Sequence, residues 1–432
     1  MTHEDIQMLK KFDAEIDKLA QVAEQLFLKI AEASRDGEGI TRPAYCEQET
    51  TAGNVLREFA EAEGLRCGPD AVGNFEYELE GKDKNNFVLM GSHLDSVPIG
   101  GNYDGLAGVV AGVLLQVALK RCGLVPKFSL KTIGFRGEES PWFGTAYIGS
   151  RLLLGEFAGE QLTSLTHSLT GLTLQQHLHE LGVSIDAAAA GTKRLDLNCV
   201  KAYLELHIEQ GPLLEAEGVP IGAALAIRGN IRRPFASCRG EYAHSAATPR
   251  HLRKDAVIAT AHLVAAADRF WQELIDAGGN DDLIINFGVF ATNAAEHALT
   301  KVSGEVTFSL NVAGTNNAVR DALYERILNE AARLEREFRV SFDFGSKVGT
   351  DAVQLDAGLI SKTEKAANEL GLAVLTMPTV GHDAALFARA GVPAGMVLIR
   401  NQNGSHNVHE SMEIRDFLDG IKVLARCALE PI

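Results

Sequence analysis

The chain predicts an α/β fold, a mainly parallel sheet covered by helices, with a smaller α+β domain of ferredoxin-like order inserted into it. Three observations carry this. Short apolar runs such as Phe87-Val88-Leu89-Met90 and Thr132-Ile133-Gly134-Phe135, each ended by a turn, alternate with helical stretches as far as about residue 222, the pattern of strands covered on both faces. Near Ala226-Ile227-Arg228-Gly229 the character changes to strand, helix, two strands, helix, strand, which is the split βαβ order. At 432 residues the chain also exceeds the size at which one core keeps growing, so two domains are expected.

The elements follow in order. Residues 10–34, rich in Leu, Ala, Lys and Glu with apolar residues at helical spacing, form helix; 231–239 is strand, 253–276 helix, 283–290 and 303–312 strands, 317–337 helix and 338–345 strand. A helix over 359–370 resumes the first domain. The larger domain is therefore discontinuous, 1–226 with 347–432, around an insert of 227–346.

Composition sets limits on partners. A net charge of −16 argues against nucleic-acid or anionic-membrane partners, because both are themselves negative. The start, Met1-Thr2-His3-Glu4-Asp5, lacks the basic and apolar regions of a secretory signal, and no apolar run has the length of a membrane span. The six cysteines are scattered without paired spacing, as expected of reduced thiols in a cytoplasmic protein.

Chemistry concentrates at the ends of the apolar runs. Gly91-Ser92-His93-Leu94-Asp95-Ser96-Val97 places His93 at the carboxyl end of a strand, where open α/β sheets form their ligand crevice. Asp95 can hold the other ring nitrogen and Asp104, in Gly100-Gly101-Asn102-Tyr103-Asp104-Gly105, can reach back as a second ligand. Taken alone, His-x-Asp also serves as a loop cap. Arg136-Gly137-Glu138-Glu139 ends another strand with two carboxylates, one able to bind metal and one able to act as a base, although such pairs are common on surfaces. His207, in Ala202–Pro212, is either a ligand or a buried neutral histidine. Gly240-Glu241-Tyr242-Ala243-His244-Ser245 and Asn403–Glu410 add histidines in turns. His93, Asp104, Glu139, His207 and His406 then suffice for two divalent ions if Asp104 bridges: His93, His207 and Asp104 on one, Glu139, His406 and Asp104 on the other. Mixed imidazole and carboxylate donors suit zinc, with manganese, cobalt or nickel as substitutes.

In these motifs, and in Gly39–Arg42, Asp70–Asn74, Gly240–Ala256 and Gly381-His382-Asp383-Ala384, the chain resembles the dizinc amidohydrolases related to aminoacylases and carboxypeptidases. Within them it is most similar to the branch of N-carbamoyl-L-amino acid hydrolase, allantoate amidohydrolase and β-ureidopropionase. The resemblance implies a zinc-exopeptidase-like catalytic domain and a lid domain through which a homodimer forms. It further implies the five ligands above, Glu138 as general base toward a metal-bridging water, and Asp95 orienting His93. His244 would reach a neighbouring subunit's site to stabilise the oxyanion, Gln210 would contact substrate, and His382 and His409 would be loop residues.

Four departures bear on substrate. The family's carboxylate-binding arginine on the lid strand corresponds to Ala313, and its asparagine in the preceding turn to Thr300. Ser140-Pro141-Trp142-Phe143 follows the carboxylate pair, and Pro378-Thr379-Val380 precedes Gly381. Alanine cannot replace a bidentate guanidinium, so either the substrate lacks a carboxylate there or Arg228, Arg232 or Arg233 supplies the charge; Trp142 is either a substrate wall or core packing. The expected activity is metal-dependent hydrolysis of a linear C–N amide bond in a carbamoyl or ureido compound. The alternatives are an N-acyl amino acid or amide deacylase or dipeptidase of the same fold, and a non-catalytic binding protein.

Overall fold

The computed structural model describes residues 3–157, 159–185, 191, 193–278 and 282–430. The chain forms two compact units, one running to Leu225 and resuming at Leu355, the other spanning Ala226–Gln354.

The larger unit is built on a mixed sheet. Its centre is four parallel strands, Ala394–Ile399, Val200–Ile208, Asp83–His93 and Phe128–Phe135, in that spatial order. Antiparallel strands flank them, Ile221–Ile227 against Ala394–Ile399 and Phe75–Leu79 against Phe128–Phe135. These parallel pairs occupy the middle of the sheet. Register aligns the strand ends: His93 lies beside Phe135, and His207 beside Leu398. The residues following each end, Leu94–Gly105, Arg136–Glu139, Glu209–Gln210 and the 400–410 loop, therefore leave the same edge of the sheet.

The helix Leu106–Arg121 is buried along Leu106–Leu119, as an element apolar on every side must be. Its glycines let it lie close to the strands. A Cβ on Gly108 would sit 2.3 Å from the Leu206 carbonyl oxygen, and one on Gly112 2.5 Å from the Thr132 hydroxyl. The N-terminal helical region is two helices, His3–Lys18 and Ala20–Ser34, meeting at buried Leu19, which joins Phe12, Ile16 and Ala23 in the core. No helix among the described residues is long and apolar enough to cross a membrane.

The smaller unit has the ferredoxin-like order. Its first strand, Gly229–Arg239, pairs antiparallel with the third, Glu305–Gly314, and with the fourth, Ser341–Asp343 and Val348–Thr350. The second lies outside the third in two short pieces, Ile284–Asn286 and Phe290–Thr292. The sequence suggested one continuous strand there. The step from Asn286 to Phe290 carries one residue more than the facing step from Asn311 to Phe308, so the second strand bulges there, and Ser309 bonds Val289 across the gap. Val306, Phe308, Leu310 and Val312 alternate onto the face covered by helices Ala256–Asp276 and Asn317–Phe338. Those helices begin at Asp255 and Asn316, whose side chains cap the first free amides.

Gly91 has φ +141°, and a Cβ there would lie 2.0 Å from the Ile133 carbonyl oxygen. Backbone strain and overpacking each cost about 1–3 kcal/mol, so Gly91→Ala is expected to lower stability by at least ~2 kcal/mol in urea unfolding. A loss within ~0.5 kcal/mol, typical of a surface change, would show that this strand contact is looser than described.

Candidate metal centre

The edge of the sheet gathers five donors from five segments. His93, Asp104 and His207 lie within coordination reach of one another, and so do Asp104, Glu139 and His406. Asp104 is common to both triplets. Its Oδ1 lies 3.2 Å from His207 Nε2 and 3.6 Å from His93 Nε2, while Oδ2 lies 3.1 Å from His406 Nε2, itself 3.2 Å from Glu139 Oε1. All but His406, which is half exposed at φ +58°, are buried.

The tautomers matter. His93 Nδ1 lies 3.0 Å from the Asp95 carbonyl and His207 Nδ1 2.8 Å from the Ile208 carbonyl, so each neutral ring donates there and turns an Nε2 lone pair toward Asp104. The Gly105 amide donates to His207 Nε2 at 3.2 Å, as that assignment requires. Asp104 Oδ1 is buried and accepts no hydrogen bond among the described residues. Acceptors facing one another in a buried space fit a cation. The electrostatics show how strongly the cluster favours positive charge: Asp104 and Glu139 raise the His406 imidazole to about 10. Burial opposes charge on His93 and His207, yet the acids around them push both upward. Burial would likewise raise Asp104, but the three imidazoles hold it well below the usual carboxylate range.

Asp95 lies against His93 as expected, its Oδ1 3.5 Å from His93 Nδ1, and does more besides. It holds His93 through its backbone carbonyl, while its carboxylate accepts the amides of Glu138 and Glu139, each at 3.0 Å. It thereby sets the turn carrying both acids. Glu138 lies with Oε2 4.0 Å from His93 Nε2, and burial pushes its carboxyl well above the ordinary range, with His93 opposing. The same turn is held from behind by Glu49, which accepts the Gly137 amide at 3.0 Å and Arg136 Nη1 at 2.5 Å. Burial raises Glu49 to about 7 despite Arg136.

A buried polar layer that the sequence did not reveal lies beneath His207. Glu205 accepts Ser92 Oγ at 2.7 Å, Tyr203 OH at 3.2 Å and the Ala384 amide at 3.0 Å. Two residues before His207 on one strand, it lies on the same face, and that period was the available signal. His382 lies in a loop, as expected, yet is buried with its ring 4.3 Å from that of His207, and burial holds it well below the usual imidazole range. His409 is exposed.

The remaining expected residues separate. Gln210, at φ +66°, donates from Nε2 to Asp104 Oδ2 at 2.8 Å and so belongs to the cluster. Trp142 packs as a core residue would. It is buried, donates Nε1–H to the Ser96 carbonyl at 2.9 Å, and stacks on His167; a buried indole N–H needs such a partner. In the smaller unit, His244 is exposed and accepts the Ala246 and Ala247 amides at Nδ1, which leaves Nε2–H outward. Thr300 serves that turn through its carbonyl, which accepts the Ser245 amide at 2.8 Å. Arg228 donates to the Asp282 carbonyl, and Arg233 to Tyr324 OH and the Gly345 carbonyl. Arg232 is exposed, in register with Asn311, two residues along from Ala313.

A mixed sheet with such a donor cluster at its edge is the setting of many metal-dependent enzymes, and the comparisons give the class and family. A model of peptidase family M20/M25/M40 matches residues 89–430; the chain belongs to that family and is a hydrolase of amide C–N bonds. It is 30% identical over 415 residues to an N-carbamoyl-L-amino-acid amidohydrolase of Paenarthrobacter aurescens, covering 94% of this chain and 97% of that one. It is 30% identical over 400 residues to a ureidoglycolate hydrolase of Arabidopsis thaliana, covering 89% and 81%. A hydantoinase/carbamoylase family amidase from Burkholderia ambifaria superposes with a TM-score of 0.83 at 27% identity, over 95% of this chain and 97% of that one.

Trp142→Phe removes the bond to Ser96 and leaves that buried carbonyl unpaired, so stability is expected to fall by ~1–3 kcal/mol with KM unchanged. A raised KM at native stability would return Trp142 to the substrate.

Proposed function

We propose that the chain hydrolyses a linear C–N bond of a carbamoyl or ureido compound at a centre of two divalent ions, zinc or else manganese, cobalt or nickel. The observation that carries this is the sharing of Asp104 between two donor triplets with Glu138 buried beside them. His93, His207 and Asp104 would hold one ion, and Glu139, His406 and Asp104 the other. Such ions supply Lewis acidity and acidify water.

The chain's own residues do the rest. Glu138, its backbone fixed by Asp95, takes the proton from water and returns it to the departing nitrogen, and its raised carboxyl suits it to carry that proton. The outward Nε2–H of His244 is a donor for the developing oxyanion, supplied by a second copy if the 226–354 unit is the lid through which a homodimer forms. A carbamoyl substrate would release ammonia and carbon dioxide with the amine. The names of the relatives favour this over deacylation.

Ala313 sets the substrate question. With no guanidinium there, the natural substrate either lacks a carboxylate in that place or meets Arg232, whose guanidinium is exposed one strand away.

Glu138→Gln is expected to retain bound metal while losing ~10²–10⁴-fold in kcat; native turnover with metal bound would remove Glu138 from the role. In a panel of N-carbamoyl, N-formyl and N-acyl amines, each with and without an α-carboxylate, ammonia and amine should appear together from the carbamoyl members. Amine without ammonia would make the enzyme a deacylase, and efficient turnover of ordinary N-carbamoyl-L-amino acids or allantoate by an Arg232→Ala variant would contradict the meaning given to Ala313.

A further inference from the structure

Asp104 is held by a residue that none of the roles above uses. Glu410, 306 positions later in the chain, is buried, and its Oε1 accepts the backbone amides of Tyr103 at 2.8 Å and Asp104 at 3.3 Å. Its Oε2 accepts Ser405 Oγ at 2.5 Å, and that hydroxyl also lies 2.7 Å from Asp104 Oδ2. The seat is shaped for this carboxylate: a Cβ on Gly101 would lie 2.2 Å from Glu410 Oε1. From the other side, the buried Arg42 guanidinium grips the same turn, donating to Asn102 Oδ1 at 2.9 Å and the Leu94 carbonyl at 2.8 Å. Arg42 and Glu410 attract one another without a direct bond among the described contacts.

We propose that Glu410 is a positioning residue for the bridging carboxylate. It fixes the backbone from which Asp104 projects, and through Ser405 it ties the loop bearing His406 to the turn bearing Asp104, so that both triplets form together. Glu410 is not itself a ligand. Its nearer oxygen is occupied by backbone amides and its farther one by Ser405. The proposal rests on the metal-centre reading given above.

The alternative is that Glu410 only staples a loop, and binding of zinc alone separates the two. Zinc affinity is measured by chelator competition, below the melting temperature of every variant, for the native chain, Glu410→Ala, Glu410→Gln and Asp416→Asn. Asp416 pairs with Arg400 in the same C-terminal segment and serves as the structural control. Loss of a group orienting a ligand typically costs 10–100-fold in metal affinity, so Glu410→Ala is expected to weaken both ions by at least ~10-fold. Glu410→Gln keeps the acceptor for the two amides and should recover most of that loss, while Asp416→Asn should lower Tm at native affinity. Native affinity in Glu410→Ala, with Tm lowered as in the control, overturns the proposal alone. A native chain that binds no zinc overturns the metal-centre reading as well. Should Glu410→Ala not fold, Ser405→Ala removes the tie and keeps the amide contacts; it is expected to weaken zinc several-fold, and unchanged affinity overturns the proposal.

Discussion

Bringing the Nε2 lone pairs of His93 and His207 against Asp104, with His406 at its other oxygen and Glu139 beyond, costs electrostatic energy that positive charge offsets. In water such groups would drift apart or be solvated separately. Here all but His406 are buried, where unpaired acceptors are expensive, and much of the surrounding structure holds them in place. Asp95 and Ile208 give up backbone carbonyls to fix the two rings, Glu410 and Arg42 fix the turn of Asp104, and Glu49 and Arg136 fix the turn of Glu138 and Glu139. Each support is a buried, hydrogen-bonded charge or backbone group rather than a flexible surface contact, which gives the site its preorganisation.

The parallel centre of the sheet is what allows this. Parallel strands in register send their carboxyl ends to one edge, so segments far apart in the chain deliver side chains to one place. Close approach of helix Leu106–Arg121 to the strands, possible only with Gly108 and Gly112, brings the turn before it onto the same edge. The layer of Glu205, His382 and Asp383 beneath His207 is the cost of ending polar chemistry inside an apolar sheet. Burial raises Asp383 to about 7, and Ser150 partners one of its oxygens.

What the sequence made legible follows from the reach of its signals. Apolar runs and glycine turns are local, so the α/β order, the ferredoxin-like insert and the strand-end position of His93 could be read directly. The grouping of His93, Asp104, Glu139, His207 and His406 was legible because these residue types sit in motifs at strand ends. Partners contributed by distant segments were not. Nothing local to Glu410 announces that it accepts the amides of Tyr103 and Asp104, and the burial of His382 depends on the strand behind it. Trp142 shows a choice that sequence left open: its place beside the carboxylate pair allowed either a substrate wall or core packing, and the partner of its N–H, the Ser96 carbonyl, is 46 positions away. The break in the second strand of the smaller unit was hidden as well, since its extra residue shows only in the register against the third strand.

The most direct test of the shared carboxylate is the metal stoichiometry of the native chain, His207→Ala, His406→Ala and Asp104→Ala, each titrated with zinc from the chelated state. If Asp104 joins two sites, the native chain binds two ions, each histidine variant loses one, and Asp104→Ala loses tight binding of both. A native stoichiometry of one, or an Asp104→Ala variant that keeps one ion at native affinity, would contradict it.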